Sequence, residues 1–268
     1  MLAAIWDAQE EAHPATLPAA DLARAGYLRS FPHQATFAVH LDRDDGNLGR
    51  FIDEIPEGGE GNEDEVKLSR TAPVREVLTP AACYHLYLSR RGTRLDSPCY
   101  LTTRNTCFRT EDTYAPLRRQ RSFTMREIVC IGPAAEVDRF LETTRAAVQA
   151  LLAELALPVS WLAASDPFFR PFEQPGYLMQ RIAPVKREAV YQADGTQPLA
   201  ISSVNRHNEH FGLAFSIEAA GQPAASGCVA FGLERWLLAL TGRHGYEPHR
   251  WPSLAGAAER IMASGRWP

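Results

Sequence analysis

A few short runs and five scattered thiols hold the side chains able to do chemistry. Cys107-Phe108-Arg109-Thr110-Glu111 is followed by Phe123-Thr124-Met125-Arg126-Glu127, with Arg118, Arg119 and Arg121 between them. Gly227-Cys228-Val229-Ala230-Phe231-Gly232-Leu233-Glu234-Arg235 contains a Gly-x-x-Arg, and His207 and His210 flank Glu209. An arginine fork grips a phosphate or carboxylate through two parallel N–H bonds, but a single arginine as readily makes a surface ion pair. An ionised thiol binds metals; an unionised one is a small buried hydrophobe. The two histidines are three apart, which suits one helical face. Their surroundings read as strand and loop, which argues against a metal site there. The three clustered arginines are either a solvated loop face or a contact for phosphate or a partner.

The cysteines stand at 83, 99, 107, 130 and 228. Their odd number and the absence of any Cys-x-x-Cys argue against a secreted disulfide framework and for a reducing compartment. The N-terminal run Met1-Leu2-Ala3-Ala4-Ile5-Trp6-Asp7 lacks a basic region and a long apolar stretch, so no signal peptide is read. No apolar run has the length of a membrane span. The expected location is the cytoplasm.

With 268 residues, 45% hydrophobic and 22% charged, the chain can bury a large core, which excludes global disorder. Its net charge of −4 does not fit a general nucleic-acid binder. The charge is uneven: residues 41–66 carry ten acids against two bases, leaving the remainder with a net +4. That acidic stretch, centred on Gly58-Gly59-Glu60-Gly61-Asn62, reads as a loop because it offers little apolar surface.

The elements that must position the reactive side chains follow from periodicity. A helix is expected near Leu17–Ala25 and a strand near Ala35–Leu41. Tyr100 to Arg109 reads as a strand, and Glu111 to Gln120 as a polar loop. In Arg121 to Ile131, Phe123, Met125, Glu127, Val129 and Ile131 alternate onto one face. The two strands and their loop make an antiparallel hairpin. Gly132-Pro133 opens a helix whose Val137, Phe140, Leu141, Val148, Leu151, Leu152 and Leu155 share a stripe, with Pro158 beyond its end. A loop is expected over Asp166–Tyr177. Strands follow near Arg187–Tyr191, Leu199–Asn205 and Leu213–Ile217, then a helix over Val229–Leu240 and a last helix capped by Ser253. Phe231 and Trp236 read as core. The class is α+β.

Taken in this order and separation, the Phe-Arg-x-Glu hairpin and the Gly-x-x-Arg at a strand-to-helix junction resemble motifs 2 and 3 of class II aminoacyl-tRNA synthetases. Cys83, Glu127 and Cys228, separated by 44 and 101 residues, resemble the zinc site of atypical, archaeal-type seryl-tRNA synthetases. They resemble still more the amino acid:[carrier protein] ligases, shortened relatives of those synthetases. Ser165-Asp166-Pro167-Phe168-Phe169 and Asn205-Arg206-His207-Asn208-Glu209-His210-Phe211-Gly212 look like further segments of that ligase family. The likeness covers about residues 75–245 and is looser over the first 70.

The resemblance implies an antiparallel sheet flanked by helices, with an N-terminal segment (1–70) carrying the acidic loop and packing on a catalytic domain (71–268). It implies a homodimer and no membrane partner. It implies that a small amino acid, glycine or alanine, is activated by ATP as an aminoacyl-adenylate. The aminoacyl group is then passed to the phosphopantetheine thiol of a holo carrier protein, with no tRNA involved. Zn2+ would sit on Cys83, Glu127 and Cys228 with a fourth position open to the substrate amine, and Mg2+ would accompany ATP. Arg109 and Arg235 would be catalytic. Arg109, Glu111, Phe123 and Arg235 would bind ATP, and Arg118, Arg119 and Arg121 would face the carrier protein. The chemistry suits these residues. A carboxylate is already ionised near neutral pH, so the reaction needs charge neutralisation and alignment rather than a base. Phe123 and Glu127 are four residues apart on one strand face, about 13 Å, the span of an adenylate. Cys99, Cys107 and Cys130 remain packing residues. One position departs from the class pattern: Leu199 or Ala200 stands where an acidic residue usually holds magnesium. The other functions weighed are an aminoacyl-tRNA ligase and a catalytically inactive paralogue.

Overall fold

A computed structural model of the chain describes residues 1–55, 66–164, 166–173, 185–192 and 197–264. The strands in order are β1 (Gln9–Glu11), β2 (Thr16–Pro18), β3 (Thr36–Ala38), β4 (Glu76–Leu78), β5 (Arg94–Leu95), β6 (Cys99–Phe108), β7 (Ser122–Gly132), β8 (Val159–Ala163), β9 (Lys186–Tyr191), β10 (Leu199–Asn208), β11 (Glu218–Ala219), β12 (Gln222–Pro223) and β13 (Ala225–Gly232). The α-helices are α1 (Ala19–Arg24), α2 (Tyr27–Ser30), α3 (Asp45–Glu54), α4 (Tyr84–Leu88), α5 (Ala134–Glu154), α6 (His210–Phe215), α7 (Leu233–His244) and α8 (Leu254–Ser264).

One seven-stranded sheet, ordered β1-β6-β7-β13-β10-β9-β8, organises the molecule. All its pairings are antiparallel except β1 against β6. The expected hairpin forms its second and third strands: Thr103 lies opposite Glu127 and Cys107 opposite Phe123. Because successive residues face opposite ways, each central strand serves two cores. Ile128, Cys130, Val204, Val229 and Phe231 face the core beneath α5 and α7. Leu101, Val129, Ile131 and Cys228 face a second core beneath α4 and α6. That second layer covers only part of its face. The uncovered part carries Phe123, Met125, Ala230, Gly232, Ser203 and Glu188, which line a pocket.

Helix α5 follows the predicted stripe, burying Val137, Phe140, Leu141, Val148 and Leu152. It can lie against β13 because position 227 is glycine. A Cβ there would meet Leu141 Cδ1 and Cδ2 at 2.9 Å and Val137 Cγ1 at 3.0 Å, closer than packed atoms tolerate. The last helix is capped as expected, Ser253 Oγ accepting from the Gly256 N–H at 3.0 Å.

Several expectations change. Leu213–Ile217 is not a strand: residues 210–215 form α6, ended by Ser216 with φ 55°. Its alternating apolar residues mimic a strand, but Phe211 and Phe215 lie one helical turn apart and both are buried. The helix expected from Val229 begins instead at Leu233, because Ala225–Gly232 is a central strand buried on both faces, where an unbroken apolar run belongs. The first helix starts at Ala19 rather than Leu17, since Thr16–Pro18 pairs with β4. Part of the acidic stretch is helical. Asp44 Oδ1 caps α3 by accepting from the Asn47 N–H, a strong helix-start device. The buried Asn47 side chain bonds both Asp42 and Arg70 main chain. The glycine-rich centre of that stretch, residues 56–65, lies outside the described residues, as do Ser165 and residues 174–177 at the end of the expected loop. The partition at residue 70 cuts across two of the three sheets. β1 belongs to the large sheet, while β4 joins β2 and β3 in a small one.

Candidate active site

The sheet register brings Cys83, Glu127 and Cys228 together. Glu127 points out of the middle of β7, beside β13, where Ala230 is its partner and Cys228 lies two residues along on the same face. Cys83 arrives from above, at the start of α4. Their ligand atoms all lie within 4.8 Å of one another, and all three residues are buried. Glu127, only 1% exposed, accepts at Oε1 from the main-chain N–H groups of Ala82 at 2.9 Å and Cys83 at 3.2 Å. Asn205 Nδ2 donates to Cys228 Sγ at 3.3 Å.

The electrostatics of this set fit a cation. The hydrogen bond with Cys228, burial and the Glu127 carboxylate together hold the Cys83 thiol well above its ordinary range. The bond from Cys83 pulls the Cys228 thiol down, but burial and Glu127 carry it up overall. A bound dication would reverse both, ionising the thiols outright. Two sulfurs and one carboxylate oxygen in a buried cluster match the ligand chemistry of zinc. Thr103 Oγ1, opposite Glu127 in the register, is buried with no hydrogen-bond partner among the described residues. No other group of three or more His, Cys, Asp or Glu side chains among the described residues is disposed to hold a metal.

The two histidines do not form a second site. His207 Nδ1 lies 3.1 Å from the Tyr87 hydroxyl and its Nε2 lies 3.8 Å from Cys228 Sγ. Burial pushes its pKa down to about 3, so it is neutral. His210, on α6, faces the Ala25 carbonyl through Nε2 at 2.8 Å. Cys107 and Cys130 are buried and Cys99 half-buried, as packing residues would be.

On the same sheet face, farther along β7, the pocket gathers Arg109, Glu111, Phe123 and Arg235. Arg109 donates from Nε to the Pro80 carbonyl at 3.0 Å, and its guanidinium carbon lies 5.2 Å from the Phe123 ring centre. Pro80 is three residues before Cys83, so one turn of chain links the two ends of the site. Arg235, in the first turn of α7, donates to the Arg118 carbonyl from Nε at 2.9 Å and to the Ala200 carbonyl from Nη1 at 3.2 Å. These partners are neutral carbonyls, so they orient both guanidinium groups without cancelling their charge. Burial, followed by the nearby Arg109, lowers the Arg235 pKa. Glu111 is paired with Arg119 at 2.9 Å.

The arginine cluster is divided. Arg118 donates to the carbonyls of Pro198 and Gln197 at 2.9 and 3.1 Å and lines the pocket. Arg119 holds Glu111, and Arg121 is exposed.

Sequence reasoning missed several pocket residues. Lys186 and Glu188 come from β9, where alternate positions are charged on this face while Ala189 and Tyr191 face the core. That alternation was the available signal. Lys186 Nζ bridges Asp166 at 2.8 Å and Glu188 at 3.1 Å, and Glu188 lies opposite Ser203. Ala200 lines the pocket and Leu199 is buried, so the carboxylate beside the serines comes from the neighbouring strand. Glu234, also missed, accepts from the Thr124 N–H through both oxygens at 2.8 and 2.9 Å.

No protein-family model matches the chain. Amino acid–[acyl-carrier-protein] ligase 1 of Bradyrhizobium diazoefficiens is 34% identical over 250 residues, covering 90% of this chain and 73% of the ligase. The type-2 serine–tRNA ligase of Methanopyrus kandleri is 28% identical over 259 residues, covering 89% of this chain but only 48% of that longer protein. Among solved structures, M. kandleri SerRS in complex with A. aeolicus tRNASec superposes with a TM-score of 0.76 at 24% identity, over 96% of this chain and 51% of that one. The likeness fixes the fold as that of the class II aminoacyl-tRNA synthetases. With a relative above 30% identity matched over most of both lengths, the chain belongs to the amino acid–[acyl-carrier-protein] ligase family.

Proposed function

We propose that this protein activates a small amino acid, glycine or alanine, with ATP and transfers it to the phosphopantetheine thiol of a holo carrier protein. The observation that carries the reading is one sheet face bearing both the Cys83–Glu127–Cys228 set and the pocket of Arg109, Phe123 and Arg235. The first end suits an amine-binding metal and the second a nucleotide. Zn2+, held by the triad, would supply a Lewis-acidic position for the substrate amine; Mg2+ would accompany ATP. Phe123 offers a face for the adenine, with Glu111 at its edge. Arg109 and Arg235 neutralise charge at the phosphates where it builds during attack by the amino acid carboxylate. The thiol of the carrier arm then attacks the acyl carbon of the adenylate and AMP leaves. The confined, buried triad favours a small side chain.

Arg121, with the outer edges of Arg118 and Arg119, gives the hairpin mouth a positive rim that suits an acidic carrier protein. A homodimer in the cytoplasm completes the proposal; no helix among the described residues is long and apolar enough to cross a membrane. The test is pyrophosphate exchange over an amino acid panel, then loading of holo carrier protein, apo carrier protein and tRNA side by side. A hydroxylamine-sensitive thioester on the holo form alone is expected. Efficient charging of tRNA with no carrier labelling would overturn the reading in favour of an aminoacyl-tRNA ligase. No exchange with any amino acid would favour an inactive paralogue.

A further inference from the structure

Strand β10 does not pair evenly with β13. Arg206 lies opposite Gly227 and Asn208 opposite Ser226, so His207 is the extra residue of a β-bulge. Asn208 follows it with φ 50°. Bulges re-aim side chains beside functional sites, and at this one the His207 ring reaches the sulfur that β13 presents: Nε2 lies 3.8 Å from Cys228 Sγ. Asn205, two residues earlier, reaches the same sulfur.

The ring is clamped on its other sides. Tyr87 and Phe211 stack with their ring centres 3.9 Å apart, and the imidazole stands nearly perpendicular to both, at 5.9 and 5.0 Å. The Tyr87 hydroxyl lies 3.1 Å from His207 Nδ1, and Ser226 Oγ lies 3.4 Å from the same nitrogen. Tyr87 and Ser226 are fully buried, so their hydroxyl protons need an acceptor within the protein, and Nδ1 stands in reach of both. His207 is not itself one of the clustered ligands: neither of its nitrogens joins the set of mutually close atoms on Cys83, Glu127 and Cys228.

A sulfur bound to a metal has lost its proton and can only accept. A nitrogen that faces it must carry a hydrogen, or two lone pairs would confront each other in a buried site. At the other end of the ring, a hydroxyl that donates to Nδ1 leaves the imidazole proton on Nε2. Both ends therefore require the same form. We infer that His207 is a positioning residue for the metal: fixed by Tyr87 in its Nε2–H form, it donates to Cys228 Sγ and holds that sulfur as the metal-bound thiolate. The inference rests on the triad being a zinc site, as proposed above. It gives a role to a side chain that acts on the metal only through another residue.

Long-range 1H–15N spectra of the zinc-loaded, full-length protein, labelled at the histidine nitrogens, read the tautomer directly. The His207 signals are recognised by their proximity to the Tyr87 and Phe211 rings, and the Nε2–H form is expected. Competition with a chromogenic chelator should show His207→Phe binding zinc about 10–100-fold more weakly. His207→Gln keeps an N–H near the place of Nε2 and should recover most of that loss. With Co2+ in place of zinc, the sulfur-to-cobalt charge-transfer band of His207→Phe should shift, whereas a purely structural role would leave it where it is. An Nδ1–H tautomer in wild type, or a zinc affinity of His207→Phe equal to that of wild type, would overturn the inference. The first of these needs no variant to fold. Zinc-loaded protein with the Nε2–H form but no pyrophosphate exchange would sustain the inference while defeating the proposed function. Protein that takes up no zinc would overturn the inference together with the assignment of the triad.

Discussion

The main-chain N–H of Cys83 donates to the carboxylate of Glu127 at 3.2 Å, while the thiol of the same cysteine lies in reach of the same ligand cluster. The start of α4 therefore orients the carboxylate and supplies the neighbouring sulfur at once. One oxygen of Glu127 is fixed by two amides and the geometry of the triad follows from the backbone. Elemental analysis should find about one zinc per chain, and Cys228→Ser should lose both metal and amino acid activation while still binding ATP. Metal-free protein with full exchange activity would rule out the site.

Asn205 bonds Cys228 Sγ and sits in the β10 register directly opposite it. Outer partners of this kind orient a ligand and spread its charge. Asn205→Ala should weaken metal binding by about 10–100-fold, measured by competition with a chromogenic chelator. Retention equal to wild type would show the contact to be incidental.

Arg109 is expected to act on the phosphates in the transition state. Arg109→Ala should cost on the order of 3–4 kcal/mol in the exchange reaction, the loss of one strong oxyanion donor. Lysine should rescue poorly because it lacks the planar fork. A drop of less than about tenfold, roughly 1.4 kcal/mol, would count against this role.

Lys186 keeps Asp166 and Glu188 together at the pocket wall. Lys186→Met leaves two facing carboxylates without their shared ammonium. It should lower stability by roughly 1–3 kcal/mol, less than the loss of one partner from a fully buried pair. Glu188→Gln added to it should recover part of that loss. Chemical denaturation reads both, and equal stability of the single variant and wild type would refute the coupling.

The thiols give the metal-free protein a distinctive pH dependence. Cys83 and Cys228, the two thiols of the triad, both lie above their ordinary values. In the unfolded chain they ionise near about 8.5. The folded state therefore holds its protons longer, and stability should fall as pH rises above about 8.5. The zinc-loaded protein already carries thiolates and should instead lose metal as pH falls. Melting curves of both forms between pH 5 and 11 should diverge in these opposite directions; parallel curves would contradict the assignment.

The parts of the fold legible in the sequence are those with one dominant period and a clear stop. The hairpin of β6 and β7 alternates over its whole length, and α5 carries its stripe from Pro133 onward. The strand β13 is illegible because a strand buried on both faces has no alternation to show, and its apolar run continues into α7. Phe211 and Phe215 mislead for the converse reason: a helix of six residues displays too little of its period. The triad is legible only through its resemblance to the ordered ligand set of a known family, and Asn205, Lys186 and Glu188 are not legible at all. Asn205 and Glu188 take their places from the strands beside them and Lys186 from the distant Asp166, and such long-range pairing leaves no mark on local sequence.

Gly227 sits beside Cys228 on β13, pressed against Val137 and Leu141 of α5. The helix on one side of the sheet thus acts as a mechanical stop for the strand that presents a sulfur on the other. Filling that contact with a bulkier side chain, at position 227 or on the helix, would push β13 outward and spread the ligand triangle without touching a ligand. With zinc held by the triad as proposed, variants in the hydrophobic core beneath α5 would be screened by their metal retention, with the cluster serving as a displacement gauge for the far side of the sheet.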